Sequence, residues 1–414
     1  MSPDGSPGPL AAAAVAADSA LTARLLADLR VLVECESPTD DLAAVQACAA
    51  LVGELGERLR GTPPERTVVD GRPHLRWRLP GSGAGRAEVP EVTGGVEASE
   101  ISGDVRVLIL CHYDTVWPLG TLARLPWRVD GDLLTGPGTF DMKAGLVMAM
   151  HALASMRGWS RRGAAAVTLL CTGDEETGSH TSRALIEAEA RAADAALVLE
   201  ASGPGGALKT ARKGVALYRL GITGRAAHAG LEPERGVNAG IELALQVLAI
   251  RGFGDPMAGT SVVPTRSRAG TTTNTVPASA DLDVDSRAWT AEEQARVDRD
   301  VRALRANLDR ARVDVSGGVN RPPLPREFAA ELFDRAVQVA GSLGLPAPVE
   351  VAVGGGSDGN FTAGVGTPTL DGLGAVGGGA HADDEHVVVS ELAPRTRLLA
   401  GLIASLGRDP VPRP

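Results

Sequence analysis

VRVLILCHYDTV, residues 105–116, is the stretch on which the fold turns. Its first seven residues are almost all aliphatic or β-branched, continuous rather than alternating, and too few for an ordinary helix. That pattern predicts a strand buried on both faces, as in a parallel sheet. His112 and Asp114 follow where the apolar run gives out. Being two residues apart at a strand end, they project from the same side.

The pattern recurs outward from this stretch. AAVTLLC (165–171) and ALVLE (196–200) read as further buried strands, with helices at 145–156 and around 181–192 between them. The alternation predicts an α/β fold, a mostly parallel mixed sheet with helices on both faces. Upstream, 20–34 and 42–60 carry helical spacing, and RTVVDGRPHLRWRLPG (66–81) reads as a hairpin turning at Asp70–Gly71. Residues 82–104, rich in Gly, Glu and Ser, read as a surface loop.

Beyond about residue 212 the pattern changes. GVALYRLGIT (214–223) alternates like a half-exposed strand and NAGIELALQVLAI (238–250) is helical. GTTTNTVPA (270–278) and ADLDVDSRA (280–288) read as neighbouring strands, followed by a helix over 292–311 and a strand at 312–316. This β-α-β-β-α-β series is a small α/β sandwich in its own right. From Pro322 the first pattern resumes, with a helix at 326–343, strands VEVAV and TPTLDGL, and a last helix at 390–406. The expected organisation is a flexible leader (1–19), a catalytic domain (20–212 and 322–414) and an inserted lid or dimerisation domain (213–321).

The chain has 414 residues, a net charge of −10 and only 3% aromatic residues. Lys and Arg are dispersed, and few aromatics are available for base stacking, so a nucleic-acid partner is not expected. No apolar stretch is long enough to cross a bilayer, and the N-terminus lacks the basic region of a signal peptide. Cys35, Cys48, Cys111 and Cys171 show no CxxC spacing. A soluble cytoplasmic protein, with no membrane partner, is the expectation.

The chemistry lies at the ends of the apolar runs. His112 can ligate a metal while Asp114 accepts its other ring N–H. Asp141, in TGPGTFDMKAG (135–145), sits where it can cap the next helix, and a carboxylate there can bridge two cations. The glycines of that stretch match a dinucleotide fingerprint only in part. CTGDEETGS (171–179) places three acids together after a buried strand, which is costly unless cations neutralise them. Glu175 and Glu176 point opposite ways from an extended backbone, so one can bind metal while the other serves as a base. Glu200 ends ALVLE. In the Gly-rich stretch 354–387, His381 and His386 compete as a further ligand, with Glu385 close by. A mixed His and carboxylate set with carboxylates to spare suits a two-zinc hydrolase.

Seen together, these segments resemble the family of two-zinc amidohydrolases and exopeptidases that includes bacterial glutamate carboxypeptidase, acetylornithine deacetylase, succinyl-diaminopimelate desuccinylase and aminoacylases. The resemblance covers residues 20–410. It is nearest the folate-hydrolysing glutamate carboxypeptidase branch, through GTFDMKAG, DEETGS, GRAAHAG (224–230) and the SDGN to DGLG segment. It implies one zinc on His112 and Glu200, a second on Glu176 and His381, and Asp141 bridging. It also implies Asp114 as the residue that orients His112, Glu175 as general base, a cis peptide after Asp141, and a homodimer formed through the inserted domain. His228 would support the oxyanion, while Asn274 and Arg321 (in GGVNRPP) resemble positions that hold a substrate carboxylate. Co²⁺ or Mn²⁺ are expected substitutes for Zn²⁺.

These readings lead to a hydrolase of an amide bond beside a free carboxylate, its substrate an acyl amino acid or short peptide. A glutamate carboxypeptidase-type exopeptidase leads and an N-acyl amino acid deacylase is the alternative. A silent metal-binding scaffold would need neither Glu175 nor Asp114. A metal phosphatase would favour oxygen-rich Mg²⁺ coordination over two His ligands.

Overall fold

The computed structural model describes residues 9–81, 105–156, 164–407 and 411–413. The loop expected at 82–104 lies outside the described residues. The chain divides into two compact units. One comprises Met1–Thr210, Arg326–Ala352 and Phe361–Pro414, the other Ala211–Pro325 and Val353–Asn360.

The first unit opens with α1 (Pro9–Glu34) and α2 (Leu42–Arg60), then the hairpin of β1 (Glu65–Val69) and β2 (Arg72–Leu79). β3 (Arg106–His112), β4 (Arg128–Asp130), β5 (Leu133–Thr135), α3 (Ala144–Ser155) and β6 (Ala166–Thr172) follow. α4 (Arg183–Ala192), β7 (Ala195–Val198) and β8 (Leu208–Arg212) complete this part of the chain. The second unit carries β9 (Gly214–Thr223), α5 (Ala239–Arg251), β10 (Ser261–Ala269), β11 (Ser279–Ala288), α6 (Ala291–Arg302) and β12 (Arg312–Arg321). The chain then runs through α7 (Ala330–Ser342), β13 (Glu350–Val353), α8 (Gly359–Gly364), β14 (Thr369–Leu370), β15 (Gly377–Gly378), β16 (His386–Val388) and α9 (Val389–Leu406).

In the first unit the six-stranded sheet has the order β1-β2-β6-β3-β7-β14. β3 runs parallel to β6 and β7, and β14 parallel to β7, while the β1–β2 hairpin is antiparallel at one edge. Alternate residues of β3 feed two cores. Val107, Ile109 and Cys111 pack with α1, α2, α3 and α9, whereas Leu108 and Leu110 pack with Ile186 and Ala190 of α4. Helices therefore cover both faces, and β3 is buried throughout, as its unbroken apolar run requires. The hairpin turns at Asp70 and Gly71, both with positive φ (49° and 78°). That is the backbone an Asp-Gly two-residue turn favours.

The second unit holds an antiparallel sheet, β10-β11-β9-β12. Ala216, Tyr218, Leu220 and Ile222 of β9 face a core shared with α5 and α6. Asn238 caps α5, its side chain accepting from Gly240 N and Ile241 N at 2.9 and 3.1 Å. Val353–Asn360, left in the first domain by the sequence reading, belongs to this unit. It is tied to distant residues of the same unit: Asn360 Nδ2 donates to the carbonyls of Lys213 and Pro322, and Arg212 Nη1 to those of Gly355 and Gly356.

Several expectations are corrected. The first helix begins at Pro9, inside the stretch read as a leader; proline is well suited to a first helical turn and alanines follow it. GTTTNTVPA is not a strand. The strand beside β11 is SVVPTRSRA (β10), which Pro264 and its polar residues disguise. Proline is tolerated there because β10 lies at the sheet edge, with a register shift between Pro264 and Arg266. α6 ends at Arg302 rather than 311, and β12 runs on to Arg321. A further small sheet, β15-β16-β5-β4, is built from strands of two or three residues, too short for any periodicity to reveal.

Candidate metal centre

The centre lies in the first unit, where three adjacent parallel strands finish. His112 is the last residue of β3 and Glu200 lies two residues past β7; Glu175 and Glu176 follow β6. In the register of β3 and β6, His112 stands opposite Thr172, so these groups leave the sheet at one level. Crevices beyond strand C-termini are where such sheets present ligands.

Asp141 comes from a kinked stretch, Thr139–Lys143. It has φ −117° and ψ 97°, and a cis peptide joins it to Met142. It does not cap α3, whose N-cap position is Lys143. His381 is in the β15–β16 loop with φ 62°.

Two triplets share Asp141: His112, Asp141 and Glu200, and Asp141, Glu176 and His381. His112 Nε2 is 3.2 Å from Asp141 Oδ1 and 3.4 Å from Glu200 Oε1. His381 Nε2 is 3.3 Å from both Asp141 Oδ2 and Glu176 Oε2. Each oxygen of Asp141 thus serves a different triplet. Two donors about 2.0–2.1 Å from a tetrahedral zinc lie about 3.3–3.4 Å apart, so both triplets have the spacing of a ligand set. Glu176 Oε1 is buried with no hydrogen-bond partner among the described residues, a cost that a cation would remove. The donors fit a metal pair.

The electrostatics agree. Burial works against charge on His112, but Asp114, Asp141 and Glu200 outweigh it and raise the ring well above its ordinary range. Hydrogen bonds to Asp141 and Glu176 lift His381 to about 10. Burial lifts Glu176 to about 7. Asp141 is held well below the usual carboxylate range; burial opposes this, and the bonds from His112 and His381 overcome it. The cluster thus favours positive charge at His112 and His381, the same preference that would draw in cations.

Asp114 is fully buried. Its Oδ1 lies 3.5 Å from His112 Nδ1, which is closer (3.0 Å) to the Asp114 carbonyl, so the backbone holds the ring as much as the side chain does. Oδ2 accepts from Thr39 Oγ1 at 2.7 Å and Glu176 N at 3.2 Å, while Oδ1 accepts from Glu175 N at 3.3 Å. Asp114 therefore braces both His112 and the loop of the two glutamates. That loop is a 3-10 turn over Glu175–Thr177, not the extended backbone expected, because Gly178 and Ser179 close it with N–H bonds to Glu175 and Asp174 carbonyls. Glu175 is buried and belongs to neither triplet.

The remaining candidates lie in the second unit. His228 is exposed; its Nδ1 accepts from Gly230 N and Leu231 N at 3.1 and 3.2 Å, leaving the proton on Nε2. Its segment pairs with that of Asn274, whose carbonyl accepts from Ala229 N. Arg321 is buried, with Nη2 3.3 Å from Asp358 Oδ1. Two other cations of this unit are engaged elsewhere, Arg287 with Asp285 and Lys213 over Trp289. Thr39 was not foreseen; it sits 75 residues before Asp114, and nothing local marks it.

A strand-end cluster of this kind, on a sheet covered by helices, is an arrangement that suits a metal-dependent hydrolase. Residues 108–405 match the family model described as Peptidase family M20/M25/M40, and the chain belongs to that family. Carboxypeptidase G2 of Pseudomonas sp. (strain RS-16) is 36% identical over 310 residues, 74% of this chain and 75% of the relative. Among solved structures, the M20 metallo-carboxypeptidase Sso-CP2 of Sulfolobus solfataricus superposes with a TM-score of 0.70 at 16% identity, covering 92% of this chain and 98% of that one. The Bacillus subtilis YXEP protein, described as a dinuclear metal binding peptidase, gives a TM-score of 0.62 at 14% identity, over 95% of this chain and 100% of that one. The protein is a metal-dependent hydrolase of amide or peptide bonds.

Proposed function

We propose a two-zinc exopeptidase of the glutamate carboxypeptidase type, cutting an amide bond beside a free carboxylate. The observation that carries the two-metal reading is the division of Asp141, one oxygen to each triplet. His112 and Glu200 would hold one zinc, Glu176 and His381 the other. Bound zinc would lower the pKa of a water and polarise the scissile carbonyl. Glu175, outside both triplets and fixed through its N–H to Asp114, takes the proton of the attacking water and delivers it to the leaving nitrogen. Asp114 orients His112. His228, with Nε2–H outward, is suited to donate to the oxyanion. Asn274 and Arg321 are suited to the substrate carboxylate, for which a guanidinium fork is the better cation.

The second unit is read as a lid and dimerisation domain. α5 supports this, because it carries apolar side chains outward as well as toward the core formed by Ala239, Leu243 and Ile250. Glu242 and Gln246 are buried, Glu242 accepting from Asn307 N and Leu308 N, while Ile241 and Leu248 are 53% and 63% exposed beside Ala244 and Leu245. An outward apolar stripe at helical spacing suits a second copy of the chain. Among the described residues no helix is long and apolar enough to cross a membrane.

The test is hydrolysis by zinc-loaded protein of a paired panel, N-acetyl amino acids against C-terminal glutamate or aspartate conjugates, including folate-like ones. Cleavage confined to the conjugates supports the carboxypeptidase reading. Cleavage confined to the acetyl set makes the protein a deacylase, the alternative that shares this centre.

A further inference from the structure

Glu385 belongs to neither triplet, yet it is completely buried beside them. Its Oε2 accepts from Trp117 Nε1 at 2.6 Å and Gly138 N at 3.0 Å. Its Oε1 accepts from Phe140 N at 2.8 Å and Asp141 N at 3.1 Å. Both oxygens are filled by donors, so only a carboxylate can satisfy the site.

Three of the four donors are backbone N–H groups of the stretch that ends at Asp141. Glu385 itself lies four residues past His381, in the loop between β15 and β16. Those strands fix where the two loops start: His386 pairs with Thr135, and Gly136–Gly138 lead on from β5 toward Asp141. Within its own loop, Glu385 N donates to the Ala382 carbonyl and Ala382 N to that of Gly379. One side chain therefore fastens the loop that carries Asp141 to the loop that carries His381. The His381 loop has no regular element of its own and the Asp141 stretch only the kinked turn over Thr139–Lys143, whereas His112 ends a central strand.

We infer that Glu385 is a positioning residue for the second metal site, its carboxylate fixing the separation of Asp141 and His381. The inference rests on reading Asp141, Glu176 and His381 as ligands. Two of those three ride on the fastened loops. In the other triplet only Asp141 does, so the second site depends on the clamp more than the first. Glutamine, though the same shape, would turn its amide N–H groups against one of the two donor pairs.

The test is stepwise Zn²⁺ binding to metal-free protein in competition with a chromophoric chelator, for wild type, Glu385→Gln and Trp117→Phe. Circular dichroism confirms that each is folded. In Glu385→Gln the second equivalent, identified as the one that a His381→Ala control loses, should weaken about 10–100-fold, the usual effect of losing a partner outside the ligand set, while the other changes much less. Trp117→Phe removes one donor of four and should move the second equivalent the same way by less. An unchanged second equivalent in folded Glu385→Gln, or equal weakening of both, overturns the inference. If Glu385→Gln does not fold, Trp117→Phe decides, and an unchanged second equivalent there overturns it. Wild type binding fewer than two equivalents would defeat the two-metal reading itself, whatever the variants do.

Discussion

At the scale of single residues, the separate roles proposed for Glu175 and Glu176 rest on where each side chain is anchored. Glu176 shares His381 with Asp141, and its buried Oε1 has no hydrogen-bond partner among the described residues. Glu175 shares no ligand atom with either triplet and is steadied through Asp114. Glu175→Gln should keep both metals but lower kcat by about 10²–10⁴-fold, the span of general acid–base contributions. Near-normal turnover with full metal content would remove Glu175 from that role. The residue types were legible in the sequence because charges crowd at the ends of apolar runs, where burial would be costly without a reason. What the sequence withheld was the bracing. Thr39 on Asp114, and the backbone N–H groups on Glu385, are contacts between distant segments in which one partner carries no distinctive side chain.

At the scale of elements, legibility follows length and burial. β3, β6 and α3 are long or continuously apolar, and they lie within a residue or two of where the sequence puts them. β10 was hidden because an edge strand exposed to solvent tolerates Pro264, Arg266 and Arg268, which read as loop. Two element-level consequences can be measured. Gly145 in α3 packs so closely on the strand end before Glu200 that an added Cβ would run into the Leu199 carbonyl. Gly145→Ala should therefore destabilise by about 1–3 kcal/mol, as overpacking does, and shift Glu200. A variant as stable as wild type with unchanged metal affinity would contradict that packing argument. On α5, Ile241→Glu with Leu248→Glu leaves the buried Glu242 network alone and charges the outer stripe. Sedimentation should show a dimer for wild type and a folded monomer for the double variant; a monomeric wild type at micromolar concentration would refute the docking role of that face.

At the scale of the whole molecule, the metal-free chain must carry an acidic cluster at its centre on top of a net charge of −10. Protons make this tolerable. His381 is lifted from 6.5 to about 10 by Asp141 and Glu176, His112 is raised well above the same ordinary value, and burial lifts Glu176 to about 7. All three bind protons more tightly folded than unfolded. For such groups the stabilisation is full below the unfolded value and is lost as pH climbs through the folded one. The thermal midpoint of metal-free protein should therefore fall steadily as pH rises, through about 7 for Glu176 and on toward about 10 for His381. Bound cations replace those protons and stabilise the folded state by mass action, so the loaded protein should lose much less over the same range. The two curves should diverge with rising pH, and zinc loading below about pH 8 should release protons to the solvent. Parallel midpoints for metal-free and loaded protein from pH 6 to 10 would mean that the cluster is not exchanging protons for metal. The histidines and carboxylates at the strand ends would then need another explanation for being brought together.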